Sequence, residues 1–376
     1  TVIPMEVPNL MGSIKEGNRI LLDDGQMELV VAQVGENYLE ATVVLGGVLQ
    51  SHKGVNLPGA SLDIPAFTEK DHADLEFGLQ HQVDAVAISF VRTADNIAQV
   101  RAHIQQMAPE LASIPIIAKL ERPEAITNLK EIVAAADGVM VARGDLAVET
   151  SPAEVPIIQK KIIEAANRQS KLVITATQML NSMIHNPRPT RAEASDVANA
   201  IFDGTDAVML SGETASGEYP IESVVMMDTI VREAEHHLDK WGHCQKIPDE
   251  PTNVDAVSLA RAARELAHDR NVATVAVFTQ SGRTARLMSK VRPRVPILAF
   301  TPEERTYYRL CLYHGVTPFL ISFASTVETM LKYVEEGLLA TGQFQTGQQV
   351  IMISGFPVGA TRPPNFALLH TLGEPL

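Results

Sequence analysis

The sequence predicts an α/β fold in three parts, and three observations carry that reading. The stretch from Thr1 to Ser61 is rich in short β-branched runs broken by turn signals, as in a small all-β domain. From Leu62 short apolar strands alternate with amphipathic helices, the pattern of a βαβ succession on a parallel sheet. After His243–Asn253, a segment carrying Pro, Asp and Asn that reads as a linker, a second α/β alternation begins. The expected domains are therefore residues 1–61, 62–242 and 253–376.

In the first part MEL follows the DDG turn at Asp23–Gly25, and TVVLGG and KGVNLPG supply further strand-and-turn pieces. In the second part the expected strands are Ala85–Val91, Ile114–Glu121, Gly138–Asp145, Lys171–Gln178 and Asp206–Glu213, with helices between them and a last helix ending near Trp241. A closed parallel barrel takes eight β/α units over about 250 residues, so five units leave it three short. In the third part the expected strands are Thr274–Thr279, Val295–Phe300, Thr317–Ser322 and Gln349–Ser354, a doubly wound arrangement.

Composition narrows the function classes. With 376 residues and 45% hydrophobic content the chain can bury two or three cores without staples. Cys244 and Cys311 stand alone without CxxC spacing, which excludes a disulfide framework or zinc cluster and fits a reducing cytoplasm. A net charge of −14 and 5% aromatic residues argue against a nucleic-acid surface, so an anionic ligand needs a local site. No apolar run reaches the 18 or more residues of a membrane helix, and TVIPMEVPNL does not have the pattern of a signal peptide. The chain starts without Met inside a strand-and-turn segment, so a piece in front is expected.

Lys119 and Glu121 stand two apart at the C-terminal end of a strand, so their side chains leave one face. In a β/α barrel such ends line the active site, although an internal salt bridge is the plain alternative. The next strand is read as ending in ARGD, which puts Asp145 beside Glu121. Two carboxylates suit a hard cation such as Mg²⁺ (or Mn²⁺), with Gly144 letting backbone N–H groups approach an anion. Thr177 in TATQ is placed to bind a carboxylate or relay a proton, or simply to bond its neighbouring backbone. Ser211, Glu213 and Thr214 close the last strand in the same polar way. A divalent ion, a lysine and fixed N–H groups together suit phosphoryl transfer.

IPIIAKLERPEA, MVARGDLAVE, ITATQMLNSM, NPRPTRAEASDVANAIFDGTDAVMLSGETASGEYP and SHKGVNLPG together resemble the signature blocks of the pyruvate kinases, a likeness that spans essentially the whole chain. The resemblance implies an eight-stranded β/α (TIM-type) barrel, interrupted by a β lid domain and followed by a C-terminal α/β regulatory domain. It implies transfer of the phosphoryl group of phosphoenolpyruvate to ADP, giving pyruvate and ATP in glycolysis, by a cytoplasmic homotetramer. By motif, Lys119 matches the stabiliser of the transition state and enolate. Glu121 and Asp145 match the divalent-metal ligands, Gly144 and Asp145 the substrate-binding turn, and Thr177 the substrate threonine near the enolate carbon. Lys53 matches a nucleotide-side lysine, and Asp23–Gly25, with Asp24, a lid turn. Ala147 stands where the family usually has glycine. The family's three leading strands, which carry a substrate arginine and the K⁺ ligands, have no counterpart in the sequence, so the expectation is that this chain is incomplete for catalysis.

Two other classes remain open at this stage. A metal-dependent enolpyruvate-barrel lyase would share the ion and the enolate but need no lid, and a non-catalytic sugar-phosphate sensor would keep only the C-terminal site. There FTQSGRTAR runs strand, turn, helix, a phosphate cradle or a capped helix start. The resemblance places a sugar-phosphate effector here, with Thr279, Ser281, Gly282, Arg283 and Thr284 as the candidates; the residues themselves leave AMP open as the effector and offer the glycine-bearing SGFPVG loop (Ser354–Gly359) as a second wall.

Overall fold

The structure, a computed structural model, describes residues 2–5, 10–23, 25–51, 53–59, 67–242 and 254–375. The expected linker at His243–Asn253, Asp24 of the DDG turn and the expected boundary at residue 61 lie outside the described residues. Packing groups the chain into two compact units: residues 1–165, 175–178 and 209–211, and residues 166–174, 179–208 and 212–376.

The first unit begins with an antiparallel sheet of β1 (Arg19–Leu22), β2 (Met27–Val34), β3 (Leu39–Leu45) and β4 (Val55–Asn56), in the order β3-β2-β1-β4. Its core is Leu10, Ile14, Ile20, Leu22, Met27, Val31 and Leu57. Asp23 and Gly25 turn the β1–β2 hairpin with φ of 52° and 83°, and the left-handed value is what Gly25 supplies without strain. Helix α1 (Glu69–Gln80) starts at a Thr68–Asp71 capping box, and α2 (Ala94–Met107) buries Ile97, Val100 and Ile104 at helical spacing.

Strands β5 (Val86–Ile88), β6 (Ile116–Leu120), β7 (Gly138–Ala142), β8 (Leu172–Ala176) and β9 (Ala207–Met209) share one sheet, in the order β5-β6-β7-β8-β9. β6 pairs in parallel with β5 and with β7. All five residues of β7 and of β8 are buried, as the continuous apolar runs of a parallel sheet require. Two expectations are corrected here. ARGD does not end a strand: β7 stops at Ala142, and Arg143–Glu149 is a helix, α3, so Asp145 lies in its first turn, where the helix dipole favours a carboxylate. Likewise β9 stops at Met209, and Glu213 sits on a short helix, Gly212–Ala215.

Helix α4 (Val155–Arg168) follows, then α5 (Arg191–Asp203), which opens on a Thr190–Glu193 capping box and closes on left-handed Gly204, and then α6 (Pro220–Glu235). Beyond lie α7 (Asp255–Arg270), β10 (Val275–Phe278), α8 (Arg283–Lys290), β11 (Ile297–Thr301), β12 (Val316–Leu320), α9 (Val327–Ala340), β13 (Gln349–Ser354) and β14 (Phe366–Thr371). Their sheet order is β12-β11-β10-β13-β14, parallel except for β14, which runs antiparallel to β13. The order reverses between β10 and β13. That is the topological switch point, and the ends of these two strands flank the crevice where open α/β sheets bind ligands.

Candidate active site

Lys119, Glu121, Gly144, Asp145 and Thr177 lie in the first unit. Lys119 Nζ is 2.6 Å from Glu121 Oε1 and donates to Ser89 Oγ at 2.9 Å. Glu121 is 1% exposed, and its other oxygen accepts the Phe90 N–H at 2.8 Å. The salt bridge weighed as the plain alternative is therefore present: Glu121 is held by Lys119 and Phe90, and Lys119 in turn by Ser89. The end of β5 supplies two of these contacts through Ser89 and Phe90, and Phe90 adopts a left-handed φ of 55° to aim its N–H. Backbone of that kind costs about 1–3 kcal/mol and is retained mainly at functional sites.

Thr177 follows β8 with φ of 68°, and Gln178 follows with 52°. The Thr177 hydroxyl donates to the Ala176 carbonyl at 2.7 Å and accepts the Gly144 N–H at 2.7 Å. The plain alternative of the sequence reading, a threonine bonded to its neighbouring backbone, is thus present, and the same hydroxyl also joins the RGD turn, which the sequence did not indicate. A Cβ at Gly144 would stand 3.4 Å from Thr177 Oγ1, so glycine gives this approach its clearance. Arg143, buried at 8% exposure, reaches the Thr177 and Gln178 carbonyls with Nη2 at 3.0 and 3.3 Å.

Several contributors were missed from sequence: Ser89, Phe90, Arg143, and the trio of Arg122, Glu149 and Asn56. Glu149 Oε1 accepts from Arg122 Nη1 at 2.8 Å and from Asn56 Nδ2 of β4 at 3.2 Å. Arg122, Arg143, Glu149 and Asn56 stood inside quoted motifs without being singled out, whereas Ser89 and Phe90 did not; the left-handed backbones carried no Gly or Asn to announce them. A cavity of about 740 Å³ runs beside the site, lined by Ser89, Phe90, Arg122, Glu149 and Asn56 at its polar end and by Leu75, Val86, Ile88 and Val100 elsewhere. Lys119, Glu121, Asp145 and Thr177 are not on its wall.

Lys53 lies 2.9 Å from Asp23, an ion pair that ties the KGVNLPG loop to the hairpin turn. Glu213, in the second unit, is 1% exposed and accepts the Leu180 N–H at 3.0 Å, so its carboxylate serves the backbone there.

The donors suit a hard divalent ion. No group of three or more His, Cys, Asp or Glu side chains is poised around a metal among the described residues. Mg²⁺ needs only one or two carboxylates, and water and phosphate oxygens complete its octahedron. Glu121 and Asp145 meet that demand in type and number.

At the switch point of the second unit, Thr279, Ser281 and Thr284 line a small crevice with Gln280, Ser354, Gly355, Gly359, Thr361 and Arg362. Gly282 and Arg283 are not on its wall. The Thr279 hydroxyl accepts the Gly282 N–H at 3.0 Å, and Gly282 itself takes a φ of 79° to start α8. Arg362 was not foreseen.

Comparison with known proteins supplies the family. The family described as "Pyruvate kinase, barrel domain" matches residues 1–224, and "Pyruvate kinase, alpha/beta domain" matches residues 257–370. Pyruvate kinase of Geobacillus stearothermophilus is 43% identical over 374 residues, which are 99% of this chain and 63% of that protein. The pyruvate kinase of Sporosarcina psychrophila is 42% identical, with 99% of this chain and 64% of that protein covered. For Clostridium perfringens the identity is 42%, with 96% and 77% covered. This chain thus spans a little under two thirds of the first two relatives.

Proposed function

The chain belongs to the pyruvate kinase family, and from that premise we propose that the protein transfers the phosphoryl group of phosphoenolpyruvate to ADP. The observation that carries the reading is the joint placement of Lys119, Glu121 and Ser89 at the ends of β5 and β6, together with Thr177 bonded to the RGD turn.

An ammonium has three protons to donate. Glu121 and Ser89 take two of those on Lys119, and the third is directed to a phosphoryl oxygen, then to the enolate oxygen, as negative charge moves between them. Glu121 and Asp145 would hold Mg²⁺, which would supply neutralisation of the substrate's negative charge. The P–O bond to the enol oxygen breaks and the phosphoryl group joins the terminal oxygen of ADP. The enolate carbon then takes a proton that comes from water and is relayed through the Thr177 hydroxyl, which regains its own proton from that water. Lys53 serves the nucleotide side from the lid.

The same reading assigns K⁺ dependence, a cytoplasmic homotetramer, and domains at 1–61, 62–242 and 253–376. Among the described residues no helix is long and apolar enough to cross a membrane. The crevice between β10 and β13 is read as the effector site, for a sugar phosphate or AMP, supported by its place at the switch point, the hydroxyls of Thr279, Ser281 and Thr284, and Arg362.

The test is pyruvate formation by the full-length protein from phosphoenolpyruvate with Mg²⁺ and K⁺. Strict dependence on ADP supports the kinase. Pyruvate formed without ADP would replace it by the lyase, and no binding of phosphoenolpyruvate with Mg²⁺ by calorimetry would leave a sensor.

A further inference from the structure

We propose that Arg143 is a positioning residue for Thr177, holding the left-handed Thr177–Gln178 turn through its two carbonyls so that the Thr177 hydroxyl stays seated against Gly144. The consequence for turnover rests on the kinase reading, whereas the positioning itself does not.

A β-branched residue at positive φ is a genuine outlier, and here a second non-glycine residue follows it in the same region. Such backbone persists only where the surroundings over-determine it. The surroundings are concentrated in the first turn of α3. Arg143 holds the backbone of the turn from one side, and the N–H of the next residue, Gly144, holds the side chain from the other. Arg143 is 8% exposed, so its guanidinium meets these carbonyls from the protein side, while Thr177 is half-buried and Gln178 exposed. Nη2 serves the two consecutive carbonyls while Nη1 reaches Gln159 Oε1 at 3.5 Å, a planar two-nitrogen fork that the point charge of lysine does not reproduce. The residue after these two is Asp145, so a single helical turn fixes the threonine and presents the carboxylate.

Arg143 touches no reacting atom in this scheme. Its effect is transmitted through Thr177, and that makes the two residues energetically one unit. Residues acting as a unit give grossly non-additive losses, whereas a residue that merely stabilises the fold adds its loss to any other.

The experiment uses the full-length enzyme. Arg143→Lys should lower kcat about 10- to 100-fold while KM for phosphoenolpyruvate changes less than about 3-fold, since small misplacement of a reacting group costs rate before binding. In a Thr177→Ala background the same substitution should cost less than about 3-fold, and multiplying losses would overturn the proposal. Gln178→Gly should restore part of the lost kcat to Arg143→Lys, because glycine takes positive φ without a clamp; no recovery would count against it. An activity-free readout keeps the two readings apart. Amide hydrogen exchange at Gly144 should quicken at least about 10-fold in Arg143→Lys while β6 amides keep their protection, and unchanged exchange at Gly144 would overturn the positioning role. Should the unaltered enzyme form no pyruvate, the kinase reading falls and the exchange result still decides on Arg143. Arg143→Gln, carried through the same measurements, decides the matter if the lysine variant does not fold.

Discussion

Replacing Asp206 by Ala should destabilise the second unit by about 3–5 kcal/mol, the cost of removing one partner from a buried ion cluster. Its side chain is fully buried, and it pairs with Lys290 and Arg292, whose side chains are 3% and 7% exposed. One oxygen also accepts the Val173 N–H of β8 at 2.8 Å. The substitution therefore leaves two buried cations and one buried amide. An orphaned buried donor alone costs about 1–3 kcal/mol. Part of the loss is offset, since Arg292 keeps the Gly204 and Thr205 carbonyls at 2.8 and 3.1 Å and Lys290 keeps Asn167 at 2.8 Å. These retained contacts hold the total inside the single-charge range rather than at twice it.

At about 2–4 °C per kcal/mol for a unit of this size, the melting temperature should fall roughly 6–20 °C. Urea titration followed by tryptophan-independent far-UV dichroism measures it, with Asp206→Ala, Lys290→Met and the double variant compared. Neighbours in one network should couple by at least about 0.5 kcal/mol. Additive single losses, or a cost below about 1 kcal/mol for Asp206→Ala, would refute the reasoning and make the cluster an ordinary solvated set of charges.

Lys119→Met should reduce turnover at least about 100-fold, as loss of one oxyanion-stabilising donor does; near-normal turnover would remove Lys119 from its role. Acid should weaken the second unit through His314. Its pKa lies below the ordinary imidazole value because burial disfavours the imidazolium and Arg292 repels it, against the pull of Glu235 at 3.0 Å. The unfolded chain then binds the proton first, so stability falls as pH drops below about 6.5 and levels off only beneath the lowered folded value. Urea midpoints at pH 7, 6 and 5 should lose part of that slope in His314→Gln, and an identical slope would exclude His314. At subsaturating phosphoenolpyruvate, sugar phosphates and AMP should activate the unaltered enzyme and fail on Ser281→Asp, whose carboxylate repels the phosphate; equal activation of both would reduce the turn to a capped helix.

The strands were legible where burial on both faces forced continuous apolar runs, as in β7 and β8. Their ends were not, because ARGD and SGE continue the chain into helix without a break in polarity, and a run of polar residues says nothing about whether the next turn is extended or helical. β14 was missed for a different reason. It is an antiparallel edge strand with mixed burial, reached after a loop rich in Gly and Pro, and its FALLHT pattern has no clear period. β12 shows the converse: Pro318 is tolerated inside it because the strand lies at the sheet edge. Lys119, Glu121 and Thr177 were readable as polar residues near strand ends, whereas the helical setting of Asp145 and the contacts that hold these side chains were not.

That asymmetry has a physical origin. A group that meets substrate must be of a particular chemical type, so it survives in the sequence as a recognisable letter. The groups that aim it work through backbone N–H and C=O, which every residue except proline carries in the same form. Phe90 contributes its amide and Thr177 its carbonyl, and neither contribution depends on the side chain that a sequence displays. Left-handed backbone at these positions is likewise invisible, since it is imposed by neighbours such as Arg143 and not by a local glycine. The Lys119–Glu121 pair makes the point quantitatively. From sequence it was either a salt bridge or a site; the structure holds the salt bridge at 2.6 Å and adds Ser89 as a second partner of Lys119, and the proposed role of Lys119 is built on that arrangement.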